Sequence, residues 1–314
     1  MKIIDIIKEE ILDPNNMISY IPQGYKHNIL DETFVSVNEI KTLTNDILKK
    51  VANNNYQQYN RDKEFKYIYG LRLSDMDSSK YKEIKDFIEK LNVEISFSPK
   101  NPSINSYGEY GNYETKKSQY FNPHLLRNIT IYYDYNLVKN RIDDVIKDHE
   151  EVEAFDVYSK LYYQVNSSLT HELQHAYDDY RSNGMSYNTK QFKAFKEKSY
   201  NKNTKIARSQ INDLETLKRY LNLPHEIWAR FSQAMVKLRF YTMDFDNQGK
   251  IIEYKMYPLQ EVMKRFKYEY ENFGVLSDNM KKRLYRKVAQ FWQYEKEKID
   301  ELNLERKNLS TNKD

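Results

Sequence analysis

Apolar side chains recur every three or four positions over residues 2–12 and 37–52, which predicts two amphipathic helices. Three runs then switch to a two-residue alternation: 66–73 (KYIYGLRL), 92–98 (NVEISFS) and 128–133 (NITIYY). Each is rich in β-branched and aromatic residues, as a half-buried strand requires. A helix is expected over 81–91, and the turn formers crowded into 99–123 predict a surface loop.

Past residue 135 the strand pattern stops. Val152, Phe155, Leu161, Val165, Leu169, Leu173 and Ala176 fall near one face of one long helix or of two consecutive ones, the second reading placing a break at Asn166-Ser167 because both residues cap helices well. Further helices are predicted at 209–221, 224–241, 258–272 and 279–304. The expected class is α+β: a small N-terminal mixed-sheet lobe with helices over 1–136, a mainly helical lobe over 137–275, and a basic amphipathic helix and tail over 276–314.

Composition refines this picture. The aromatic core must lean on tyrosine, since 29 Tyr outnumber 14 Phe and 2 Trp, and each buried hydroxyl then needs a partner. The absence of cysteine removes disulfides, thiol nucleophiles and thiolate metal sites. The first residues, MKIIDIIKEEILDPNN, carry charges through their apolar stretch and do not read as a signal peptide, and no segment is apolar enough for a membrane span. The expectation is a cytoplasmic protein with no membrane partner. A net charge of +4 is too small for a nucleic-acid signature, although residues 181–220 carry a local +7. That stretch reads either as a solvated connector or as a basic lid over a cleft, and its Lys-rich part, 190–205, is what a nucleic-acid-binding reading would rest on.

The chemistry concentrates in His171-Glu172-Leu173-Gln174-His175. On a helix, positions i and i+4 share a face, so both imidazoles can reach one ion, with zinc the natural choice. Glu172 is turned about 100° from His171 and can reach a water at an open zinc position, acting as general base. The plainer alternative is a chance match on a charged helix face. A third ligand must come from elsewhere. Asp178 sits too far along the axis, and Asp179, four residues after His175, suits the orientation of an imidazole from behind. The segment Leu223-Pro224-His225-Glu226-Ile227-Trp228-Ala229-Arg230 offers Glu226 on a proline-started helix, with His225 as competitor. An ion pair between Glu226 and Arg230 at i+4 is the alternative use of that carboxylate.

HELQHAYDDY resembles the active helix of the zincin metallopeptidases, and Glu226, Ala229 and Arg230 are similar to the E-x-x-A-R pattern on the glutamate helix of gluzincins. The nearest likeness is to peptidase domains of phage and mobile-element proteins. The resemblance covers roughly residues 125–245 and implies His171, His175 and Glu226 as zinc ligands and Glu172 as base. It also implies a polypeptide substrate lying along a sheet edge, for which 129–133 is the candidate, and an oxyanion-steadying side chain, for which His225 and Tyr241 stand. Glu226 follows His175 by 51 positions, longer than the thermolysin-like spacing. Peptide deformylase, which shares the motif, needs a cysteine ligand and is excluded. Two other classes stay open: a catalytically inactive zincin-fold structural component, as in a virion, and a basic nucleic-acid-binding protein.

Overall fold

The computed structural model describes residues 34–62, 69–90, 93–99, 106–111, 127–134, 136, 139–140, 143–144, 154–181, 218, 220–247, 249 and 251–311. The helix expected at 2–12, the stretch 190–205 and most of the helix expected at 209–221 lie outside them. Among the described residues the chain forms two compact units, one ending at Val236 and the other starting at Lys237. Positions 136/137 and 275/276 therefore each fall inside a unit.

The first unit is α+β. Helix α1 (Phe34–Asp62) precedes β1 (Tyr69–Arg72), then come a short helix α2 (Lys85–Lys90), β2 (Val93–Pro99), β3 (Ser106–Gly111), β4 (Arg127–Tyr133), the long helix α3 (Ala154–Arg181) and α4 (Pro224–Lys237). The sheet order is β1-β2-β4-β3. β4 runs parallel to β2 and antiparallel to β3. Alternation explains the layering: Ile95, Phe97, Ile129, Ile131 and Tyr133 turn one way into the core, with Leu71 and Val93. Against them α3 presents Val157, Leu161, Val165, Leu169, Leu173 and Ala176, and α1 presents Ile40, Leu43, Ile47 and Val51, all fully buried. Burial of each large apolar side chain contributes roughly 1.5–3 kcal/mol, and this pins the central helix to the sheet along its length.

One expectation fails here. The sheet edge is not 129–133, because β4 is sandwiched between β2 and β3. Among the described strands the edges are β1 and β3, and β3 lies inside the stretch read as a surface loop; SYGEYG has two glycines and no β-branched residue, so its strand character comes from pairing with β4. Helix α3 is one long helix, unbroken at Asn166-Ser167. Thr170 Oγ1 donates to the Asn166 backbone carbonyl at 2.8 Å, and Ser167 Oγ accepts from Gln233 Nε2 on α4 at 2.7 Å, so the Ser167 hydroxyl is used between helices rather than as a cap.

In the second unit, strand β5 (Tyr241–Phe245) pairs antiparallel with β6 (Ile251–Met256), followed by α5 (Leu259–Glu269) and α6 (Asp278–Thr311). The helix expected to run to 241 stops at Lys237, and a two-stranded hairpin follows it in this mainly helical half. The side-chain amide of Asn303 on α6 bonds both backbone groups of Tyr254 at 3.0 and 2.9 Å, and Arg306 Nη1 donates to the Ile251 carbonyl at 2.7 Å. These bonds cover the outer edge of β6 with a helix. Phe266, Tyr270, Phe273 and Tyr285 form an aromatic cluster with ring centres 5.2–6.3 Å apart. No described helix is long and apolar enough to cross a membrane.

Candidate metal centre

Helix α3 carries His171 and His175 one turn apart. Their Nε2 atoms face each other at 3.0 Å, with the rings nearly perpendicular at 89°. Helix α4 brings Glu226, from its first turn, up to the same point. Its Oε1 lies 3.6 Å from His175 Nε2 and its Oε2 lies 3.7 Å from His171 Nε2. A tetrahedral zinc bound at about 2.0–2.1 Å separates neighbouring ligand atoms by about 3.3 Å, so edges of this length suit such an ion. Among the described residues these three form the one cluster of potential ligands able to hold a metal.

The ring electrostatics also suit a ligand role. Burial, followed by the nearby Arg230 cation, pushes the His175 imidazole down to about 3. It is therefore neutral, as a metal ligand must be.

What aims Glu226 is visible in the contacts between the two helices. Gln174, inside the motif, accepts from Ser232 Oγ on α4 at 2.8 Å and donates through Nε2 to Asp178 Oδ1 at 2.9 Å. The Gln233–Ser167 bond adds a second tie. Ala229 and Ala176, both buried, keep the helices slim where they carry the site. Thr44 and Thr170 hydroxyls, 3.0 Å apart, join α1 to the same helix.

The remaining candidates fall in different places. Glu172 is buried, and strand β3 passes directly against its side chain at Gly108. Arg230 is buried with its Nη2 3.7 Å from Glu226 Oε2, so the anticipated ion pair is present while the carboxylate still faces both imidazoles. Asp179, anticipated behind an imidazole, pairs with the fully buried Arg127 at the start of β4. A buried guanidinium is costly without a counter-charge, which accounts for the pairing and ties α3 to the sheet. Asp178 bonds Gln174 as described. His225 stands on the first turn of α4, but its side chain lies outside those described. Tyr241 belongs to the hairpin of the second unit, its ring 5.7 Å from that of Tyr254.

Sequence reasoning missed one residue. Tyr220, helical and just ahead of the Asn222-Leu223 turn that leads into α4, hydrogen-bonds Glu226 and feels the Glu172 carboxylate. Burial first, then the Glu226 charge, holds its phenol well above the ordinary value, so the hydroxyl keeps its proton. With 29 tyrosines in the chain, only its place six residues before Glu226 could have singled it out. No protein-family model, curated protein or solved structure matches this chain.

Proposed function

We propose that the protein is a zinc-dependent metallopeptidase of zincin-like build that hydrolyses peptide bonds. The observation that carries the proposal is the convergence of His171, His175 and Glu226 from two helices on one point. Two histidines and a glutamate with one open position are the donor set of a catalytic rather than a closed structural zinc. When bound, zinc supplies a Lewis acid that polarises a carbonyl and brings the pKa of a water to about 7.

The chain's own groups divide the remaining work. Glu172 takes the proton of the attacking water and delivers it to the departing amine. Tyr220, held protonated, gives its one O–H to the Glu226 carboxylate, so the donor toward the oxygen on which negative charge develops stays with the sequence candidates His225 and Tyr241. Arg230 and Tyr220 flank Glu226 and hold its carboxylate toward the two imidazoles. β3, whose outer edge is unpaired among the described strands, lies beside Glu172 and can take an extended polypeptide by strand addition.

The test is metal analysis of the purified protein together with cleavage of a mixed peptide library, using wild type and Glu172→Gln. The expected result is one zinc per chain in both, with turnover lowered by about 10²–10⁴-fold in the variant. Zinc without cleavage in the wild type would favour an inactive zincin-fold scaffold. Absence of zinc would end the proposal.

A further inference from the structure

Gly108 lies on the edge strand β3, opposite Ile131 of β4, where its backbone meets the side chain of Glu172. A Cβ built at this position would stand 2.4 Å from Glu172 Cγ, 3.0 Å from its Cδ and 2.9 Å from its Oε1. Contacts that close do not occur between packed carbon atoms. The glycine is not there for its backbone freedom, because among the described glycines the positive φ belongs to Gly249, at 76°. What position 108 requires is empty space. By contrast, a Cβ at Gly70 on the opposite edge strand would meet only Glu94 Oε1, at an ordinary 3.8 Å.

Neither backbone can retreat to make room. β3 is hydrogen-bonded to β4 from Ser106 to Gly111. Helix α3 is fixed at this level by fully buried Leu169, Leu173 and Ala176 and by the Arg127–Asp179 pair. A side chain at 108 must therefore displace that of Glu172.

We infer that Gly108 is a positioning residue for Glu172: the strand leaves out a side chain there so that the glutamate can sit against its backbone at a fixed distance from the His171–His175–Glu226 cluster. That this seat serves catalysis rests on the peptidase reading; the packing relation stands without it. The three atoms nearest to that Cβ all belong to Glu172, so the glycine acts first on the base rather than on the metal cluster. A displacement of about 1 Å in a reacting group costs on the order of 10²-fold in rate.

The experiment is a double-mutant cycle on melting temperature, with Gly108→Ala made in the wild-type and Glu172→Ala backgrounds and Gly70→Ala as control. In the wild-type background G108A should lower the melting temperature by about 2–8 °C or prevent folding, as overpacking does. In the E172A background, where Cγ, Cδ and both oxygens are gone, most of that loss should vanish. G70A should be nearly silent. Under turnover, G108A should keep one zinc per chain and lower kcat by about 10²-fold, with KM within about threefold. An equal melting loss in both backgrounds would overturn the inference, as would a G108A protein with unchanged kcat. If the wild type binds no zinc and cleaves nothing, the peptidase reading fails, and the melting cycle alone decides whether Gly108 seats Glu172.

Discussion

Tyr220 carries the sharpest single-residue consequence of the site. Its hydroxyl donates to Glu226 and lies within the field of the Glu172 carboxylate. Tyr220→Phe removes that donor and leaves the ring. The expected outcome is zinc held about 10-fold more weakly in chelator-competition titration, with kcat at saturating zinc lowered by less than that. Unchanged kcat and unchanged zinc affinity would assign the hydroxyl to packing alone. At this scale the sequence was readable where a periodic rule applied. His171 and His175 are linked by the helical repeat, so the approach of their imidazoles followed from spacing. Tyr220 reaches Glu226 through a turn, held by the Leu223 N–H donating to the Tyr220 carbonyl at 3.0 Å, and no repeat links the two positions. Asp179 shows the converse. Its spacing from His175 was right for an imidazole partner, but the long-range demand of the buried Arg127 draws on the same carboxylate.

Between elements, the placement of α4 on α3 decides whether a third ligand exists at all. The bond from Ser232 to Gln174 and the bond from Gln174 to Asp178 both run through the residue next to His175, one of the proposed ligands. Gln174→Ala should therefore lower stability by about 1–3 kcal/mol, read by urea denaturation, and weaken zinc binding by about 10-fold, read by chelator competition. A variant with native zinc affinity would show that apolar packing alone registers the helices. Whole elements were legible in the sequence where a buried face imposed a period, as in α3 and β4. They were obscured where burial was one-sided or absent. The β3 stretch SYGEYG reads as a loop because its order comes from backbone pairing. The β5–β6 hairpin was hidden because Leu238 and Phe240 continue the apolar pattern of α4 beyond its end at Lys237.

At the scale of the whole molecule, all three proposed zinc ligands and Glu172 lie in the unit that ends at Val236, while the Asn303-capped hairpin and its two helices lie in the other. His175 and Glu226 are 51 positions apart in sequence, so an ion held by both acts as a staple across a long chain segment. Anything that binds the folded form alone shifts the folding equilibrium by mass action, by about 2.7 kcal/mol when free ligand is 100 times its Kd. The staple should therefore report to one half of the protein only. In calorimetry, removing zinc with a chelator should lower one melting transition and leave a second in place, and restoring zinc should return only the first. A single transition that shifts as a whole would mean that the two units melt as one. The presence of metal in the cell would then be felt as the lifetime of the entire chain, and scarcity of zinc would mark the protein for degradation even where its activity was not needed.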